Sequence, residues 1–263
     1  MKGYAKPLLE IICGPQIQFV IPVYQRNYDW LIDNCDQLFS DLVKLSRSNR
    51  CSHFFGSIVT SSADSSYNRL VIDGQQRLTT ISLLLLAGIK AVKDGAIEIS
   101  EESKIDEAYE VFLKAKFCNS ERKIKLVPIE NDRIAYDKIF NEEDSFDEDS
   151  KVTRNYRHFY DLLTRKPQTL SFDQLLDTIK RLQIISIELD SDDDAQLIFE
   201  SLNSTGLALT EADKIRNYLL MSLTPEEQQM CFKNYWQNIE QATENQPTKF
   251  LRDYLTIQQQ LQR

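Results

Sequence analysis

Residues 71–80 read Val-Ile-Asp-Gly-Gln-Gln-Arg-Leu-Thr-Thr. A short apolar run, Leu70 to Ile72, stops at Asp73-Gly74, and a strongly apolar segment, Leu78 to Val92, begins at once. The pattern predicts a strand that turns on glycine into a helix. The first turn of a helix holds backbone N–H groups without intrahelical partners, and these favour a phosphate or another anion. Asp73, Gln75, Gln76 and Arg77 surround that point. One reading is an anion site, in which Gly74 permits close approach, Arg77 offsets phosphate charge, and Asp73 holds a metal ion or orients a water. The other is an Asp73 helix cap followed by surface amides. The string is neither G-x-x-x-x-G-K-[ST] nor G-x-G-x-x-G, so it is not a Walker loop or a dinucleotide fingerprint.

Outward from this junction, 54–60 (FFGSIVT) and 69–72 predict strands joined by a polar turn, and 76–93 predicts a helix. A strand is expected at 17–21, a helix at 30–45, a helix at about 103–116, a strand at 124–129 and a helix at 132–140. Residues 142–150 (EEDSFDEDS) are dense in acids and predict an exposed linker. Helices at about 153–165 and 171–182, a returning strand at 183–189, and helices to about 202, then from 211, at 225–241 and at 247–261 complete the pattern. The expected organisation is α+β: a small mixed sheet with packed helices over 1–141, the linker 142–150, and a mainly helical part over 151–263.

Two further segments carry chemistry. Pro22 to Trp30 (PVYQRNYDW) puts Tyr24, Gln25, Arg26 and Tyr28 at a strand end, offering hydrogen bonds, charge and stacking surface. The alternative is a packed loop. Asn203-Ser204-Thr205-Gly206 forms a small polar loop between two helices, which alone reads as a helix connection with a glycine cap.

The chain has 263 residues, 42% hydrophobic and 27% charged, which suits one large or two small globular domains. Its five cysteines form no C-x-x-C pair, so a reducing, cytoplasmic setting is expected. A net charge of −9 argues against DNA binding by the surface as a whole. Any such contact needs a local basic patch. Lys114, Lys116, Arg122, Lys123 and Lys125 make the densest run, and Arg154, Arg157, Arg165 and Lys166 a second, though both also read as solvated charge. The two histidines and the acids show no zinc or nuclease pattern, and there is no G-x-S-x-G elbow.

In order, IPVYQRNYDW, FFGSIV, VIDGQQRLTT and FESLNSTGLALTEADKIRNYLL resemble the N-terminal domain of the GmrSD-type modification-dependent restriction proteins, within the ParB/sulfiredoxin-like superfamily. The resemblance implies a ParB-like domain that binds and hydrolyses a nucleoside triphosphate, GTP or ATP, with Mg²⁺, in defence against foreign DNA. It maps the nucleotide-site signature onto Asp73, Gly74, Gln75, Gln76 and Arg77. Asp73, Gln76 and Arg77 are then the candidate catalytic residues, with Asp73 the candidate metal ligand. Gly74, Gln75, Arg26, Gln25, Tyr24, Tyr28, Thr79, Asn203 and Thr205 are the candidate nucleotide contacts. Expected partners are the nucleotide, modified DNA through the full-length protein or a partner, and an HNH nuclease domain or subunit, which 1–263 does not contain. A non-enzymatic DNA-sensing module of the same system is the alternative.

Overall fold

A computed structural model describes residues 1–14, 16–62, 67–116, 123–190, 192–203, 209–244 and 246–261. It is α+β, as expected. Six strands, β1 (Lys2–Pro7), β2 (Gln18–Val20), β3 (His53–Ser62), β4 (Asn68–Asp73), β5 (Leu126–Val127) and β6 (Leu182–Leu189), form one mixed sheet in the order β1-β6-β3-β4-β2-β5. The helices α1 (Leu8–Ile12), α2 (Ile32–Ser46), α3 (Gln75–Lys93), α4 (Ser103–Ala108), α5 (Glu130–Phe140), α6 (Lys151–Thr164) and α7 (Phe172–Lys180) share one core with it. The helices α8 (Ala195–Asn203), α9 (Glu211–Leu220), α10 (Pro225–Cys231), α11 (Gln237–Ala242) and α12 (Pro247–Leu261) follow.

The chain divides into two compact units: Met1–Ile21 with Asn27–Asp193, and Pro22–Arg26 with Asp194–Arg263. This differs from the division expected at 142–150. That acidic stretch is a connection within the first unit, because β6 runs between β1 and β3 and pairs with both. A charge run marks solvent exposure, whereas a unit boundary depends on where strands find their partners.

Local pattern does not announce β1 and α1. KGYAKP is largely exposed and lacks a period-2 apolar pattern; β1 is held by antiparallel pairing with β6, and its lysines suit an edge strand. The helix expected at 103–116 passes from α4 into a π-turn at Tyr109–Leu113, and the one expected at 225–241 is broken likewise at Phe232–Trp236.

α3 is buried on almost every side, which explains its nearly unbroken apolar run. α7 packs tightly against Gly88: a Cβ there would lie 2.8 Å from Leu175 Cδ2 and 3.2 Å from Phe172. The loop between Asn27 and Leu31 is fixed by buried polar groups. Tyr28, 4% exposed, shares a hydroxyl hydrogen bond with Thr80 Oγ1 (2.7 Å) and accepts one from Asn155 Nδ2 (3.0 Å). Its backbone N–H donates to Asp132 (2.6 Å), while Lys151 pairs with Asp29.

Lys125, counted in the densest basic run of the sequence, is only 1% exposed. Its ammonium donates to the carbonyls of Ile12 (2.6 Å), Val111 (3.0 Å) and Gly14 (3.1 Å), tying the end of α1 and the π-turn to β5. Burial pulls its pKa down to about 8. Of the other charges in the two runs, Lys116 pairs with Glu110 and Arg157 with Glu148. Arg122 lies outside the described residues.

Lys125→Met leaves three carbonyls without their donor and is expected to cost about 2–3 kcal/mol in urea unfolding. A change within about 0.5 kcal/mol would remove the structural role assigned to it. Asp132 gives a pH test. Desolvation is the main cause that lifts its carboxyl to about 6; Asp29 adds to this, and the Tyr28 N–H and Lys151 oppose it. Because the folded value lies above the unfolded one, this contribution is fully present below about pH 4 and is lost as pH rises through 6. Asp132→Asn keeps an acceptor for Tyr28 and should flatten the melting temperature against pH between those values. Parallel wild-type and variant curves would contradict the assignment.

Candidate functional site

β4 ends on Asp73, and α3 begins at Gln75 with Gly74 as its N-cap at φ +98°. The cap is therefore the glycine, not the aspartate, and it supplies no side-chain oxygen to the first-turn N–H groups. Gly74 is held to glycine twice over. Its φ is left-handed, and a Cβ would sit 3.1 Å from Ser57 O and 3.0 Å from Ile58 Cγ1.

Arg77 folds back from the first turn of α3 across β3. Its Nη1 donates to Ser57 O at 3.0 Å and lies 3.6 Å from Asp73 Oδ2. Ser57 Oγ donates to the same Asp73 oxygen at 3.1 Å. The guanidinium is seated over Gly56, another glycine at positive φ (+114°). A Cβ there would meet Arg77 Nε at 2.5 Å and Cζ at 2.8 Å. Gly56 follows an irregularity in the β3–β6 register, a common place for a strand glycine to admit a neighbour. Asp73 and Arg77 remain about a fifth and a third exposed, at 21% and 31%. Among the described residues, one of the five N–H donors of Arg77 makes a hydrogen bond.

The junction thus brings together Asp73, Gly74 and Arg77 with Gly56 and Ser57. The last two stand outside the set that the sequence motif marks. FFGSIV holds the cue: a glycine inside a strand pattern marks a close approach.

Other expected residues serve different ends. Gln76 is a clamp: its Oε1 accepts from the N–H groups of Asp29 (2.8 Å) and Trp30 (3.2 Å), and its Nε2 donates to Asn27 O (3.3 Å). Both ends of the amide are engaged by backbone, so it holds the loop and is not placed as a catalytic group. Tyr28 is a core residue with its hydroxyl shared between Thr80 and Asn155, leaving no ring face for a base. Gln75 and Thr79 are buried, at 8% and 2% exposed.

Tyr24, Gln25 and Arg26 belong to the second unit. Tyr24 packs with Ala212, Leu220, Phe232 and Trp236 in a small core, so its ring is structural. The carbonyl of Tyr24 accepts from Arg216 Nε (2.8 Å). Arg216, nearly buried, also pairs with Asp213 (2.7 Å) and Glu240 (2.9 Å), and Trp236 Nε1 donates to Glu240 (2.8 Å). This network holds the Pro22–Arg26 segment and is invisible in the sequence, where Arg216 is one helix charge among many. Asn203 is the last residue of α8, and Thr205 lies outside the described residues.

Among the described residues no group of three His, Cys, Asp or Glu is placed to hold a metal ion. Nor is any helix among them long and apolar enough to cross a membrane. No curated protein matches the chain. The family model described as the GmrSD restriction endonuclease, N-terminal domain, matches residues 8–220, from α1 to the end of α9. With the strand–glycine–helix junction of the sequence pattern in place and most of the chain covered, the protein belongs to the GmrSD restriction endonuclease family through its N-terminal domain, and its role lies in a restriction system.

Proposed function

We propose that the β4–α3 junction binds a nucleoside triphosphate, ATP or GTP, and hydrolyses it as the regulatory part of a modification-dependent restriction protein. The observation that carries this reading is the state of Arg77. Its guanidinium is fixed over Gly56, partly exposed, and mostly without hydrogen-bond partners among the described residues, beside a helix N-terminus that no side chain caps. Phosphate oxygens fit both features.

Arg77 sits 3.6 Å from Asp73, an ion pair too long for a hydrogen bond. Binding then exchanges that pairing for phosphate oxygens and leaves the Asp73 carboxylate available. Asp73, with the Ser57 hydroxyl, would share a magnesium ion with the nucleotide; magnesium keeps several waters and needs few protein ligands, so this small donor set suits it. The ion supplies charge neutralisation when bound. In the hydrolytic step a water oriented at Asp73 would attack the terminal phosphorus as the bond to the bridging oxygen breaks; the diphosphate leaves, the water's proton passes to the released phosphate, and Arg77 offsets the charge on the transferring group. Gln76 acts by holding the 27–30 loop, and Gly56 by leaving room for the guanidinium.

Calorimetry with ATP and GTP tests the reading. Arg77→Ala should weaken binding at least about tenfold, the worth of one charge-assisted hydrogen bond. Asp73→Asn should keep binding but lose phosphate release. Equal heats for wild type and Arg77→Ala would sink the assignment. Gly56→Ala should reproduce the Arg77→Ala loss, because the added methyl displaces the guanidinium, and should also lower the melting temperature, because alanine is strained at this positive φ; unchanged affinity would show that the seat is irrelevant.

A further inference from the structure

The chain carries −9 overall, yet residues 42–63 hold no aspartate or glutamate and contain Lys44, Arg47, Arg50 and His53. The structure gathers this stretch where α2 ends and β3 begins. A cavity of about 330 Å³ opens there, lined by Asp41, Lys44, Leu45, Ser48, Arg50 and His53. Lys44, Arg47 and Arg50 are exposed. Among the described residues the guanidinium groups of Arg47 and Arg50 have no partner.

The connection is a built feature. Arg181, which follows α7, donates from Nη1 to Arg50 O (2.9 Å) and from Nη2 to Leu45 O (3.2 Å), and His53 N–H returns to Arg181 O (3.1 Å). Ser48 Oγ donates to Leu45 O (3.2 Å). The 47–52 loop is thereby pinned to the start of β6 with its cationic side chains outward. Two acids stand nearby and both are engaged. Asp177 pairs with Arg181 (3.0 Å). Asp41 accepts from Gln37 (2.9 Å) and lies 3.5 Å from Lys44 and 3.9 Å from His53.

The geometry points to a docking site for the phosphate backbone of duplex DNA at the α2–β3 connection, with Lys44 and Arg50 the principal contacts and Ser48 and His53 lining the same cavity. A phosphodiester chain matches what is present: exposed cations on a pinned loop, with a hydroxyl and an imidazole lining the same cavity. The site would hold DNA without regard to sequence, on an acidic protein that otherwise repels it. It uses none of the residues of the β4–α3 junction and does not rest on that site's nucleotide reading.

The test is anisotropy of a labelled, unmodified duplex titrated with the full chain between about 50 and 200 mM salt. Wild type should bind with a steep salt slope. Lys44→Gln with Arg50→Gln should weaken binding about tenfold at the lower salt and reduce the slope by about 2, one for each phosphate that is no longer neutralised. Both side chains are exposed, so melting temperatures should match. Arg77→Ala should leave DNA binding unchanged, which separates failure here from failure of the nucleotide site. No binding by wild type, or an unchanged affinity and slope in the double variant, would overturn the proposal. So would a loss of ATP or GTP heats in the double variant with DNA binding intact, since the cavity would then be a nucleotide site.

Discussion

The first unit depends on how close the start of α3 comes to β3. Because α3 is buried along nearly its whole length, it must enter the core directly from the end of β4. That forces the turn at position 74 so close to β3 that a Cβ there would lie 3.1 Å from the Ser57 carbonyl, with a left-handed backbone. Only glycine meets both demands at low cost. The same closeness lets Arg77 reach back over Gly56 to the same carbonyl. Two glycines at positive φ, one within β3 and one at the end of β4, therefore fix one guanidinium. The polar cluster follows from the packing of an apolar helix.

The five residues of the junction motif are not equivalent. Gln76 faces the 27–30 loop and is consumed in backbone hydrogen bonds, while Asp73 and Arg77 face β3 and keep partial exposure. Successive residues in the first turn of a helix point about 100° apart, so adjacent polar groups serve different surfaces. A motif string therefore mixes scaffold and chemistry, and only the direction of each side chain separates them.

The PVYQRNYDW segment shows the same division at a larger scale. Pro22–Arg26 belongs to the second unit, where Arg216 holds the Tyr24 carbonyl and Tyr24 enters a small core. Asn27 onward belongs to the first, where Tyr28 is anchored by Thr80 and Asn155. Both tyrosine rings that suggest base stacking in the sequence are core residues. Aromatic residues are the largest apolar groups in a loop, and burial generally claims them before a ligand can. Lys125 is the parallel case among charges, since it reads as surface in a basic run yet closes three carbonyls in the interior.

By itself the sequence determined the α+β class, the β3, β4 and α3 elements, the strand–glycine–helix junction and the family, because local periodicity and glycine placement are written in short windows. It also marked Asp73, Gly74 and Arg77 as a set. Tertiary structure alone decided that β1 forms, that β6 joins the first unit across the acidic stretch, that Gly56 and Ser57 complete the junction, and that Gln76, Tyr24, Tyr28 and Lys125 are structural. These outcomes depend on pairing and burial between residues distant in the chain. A one-dimensional pattern records which groups are polar, but the fold decides what each polar group faces.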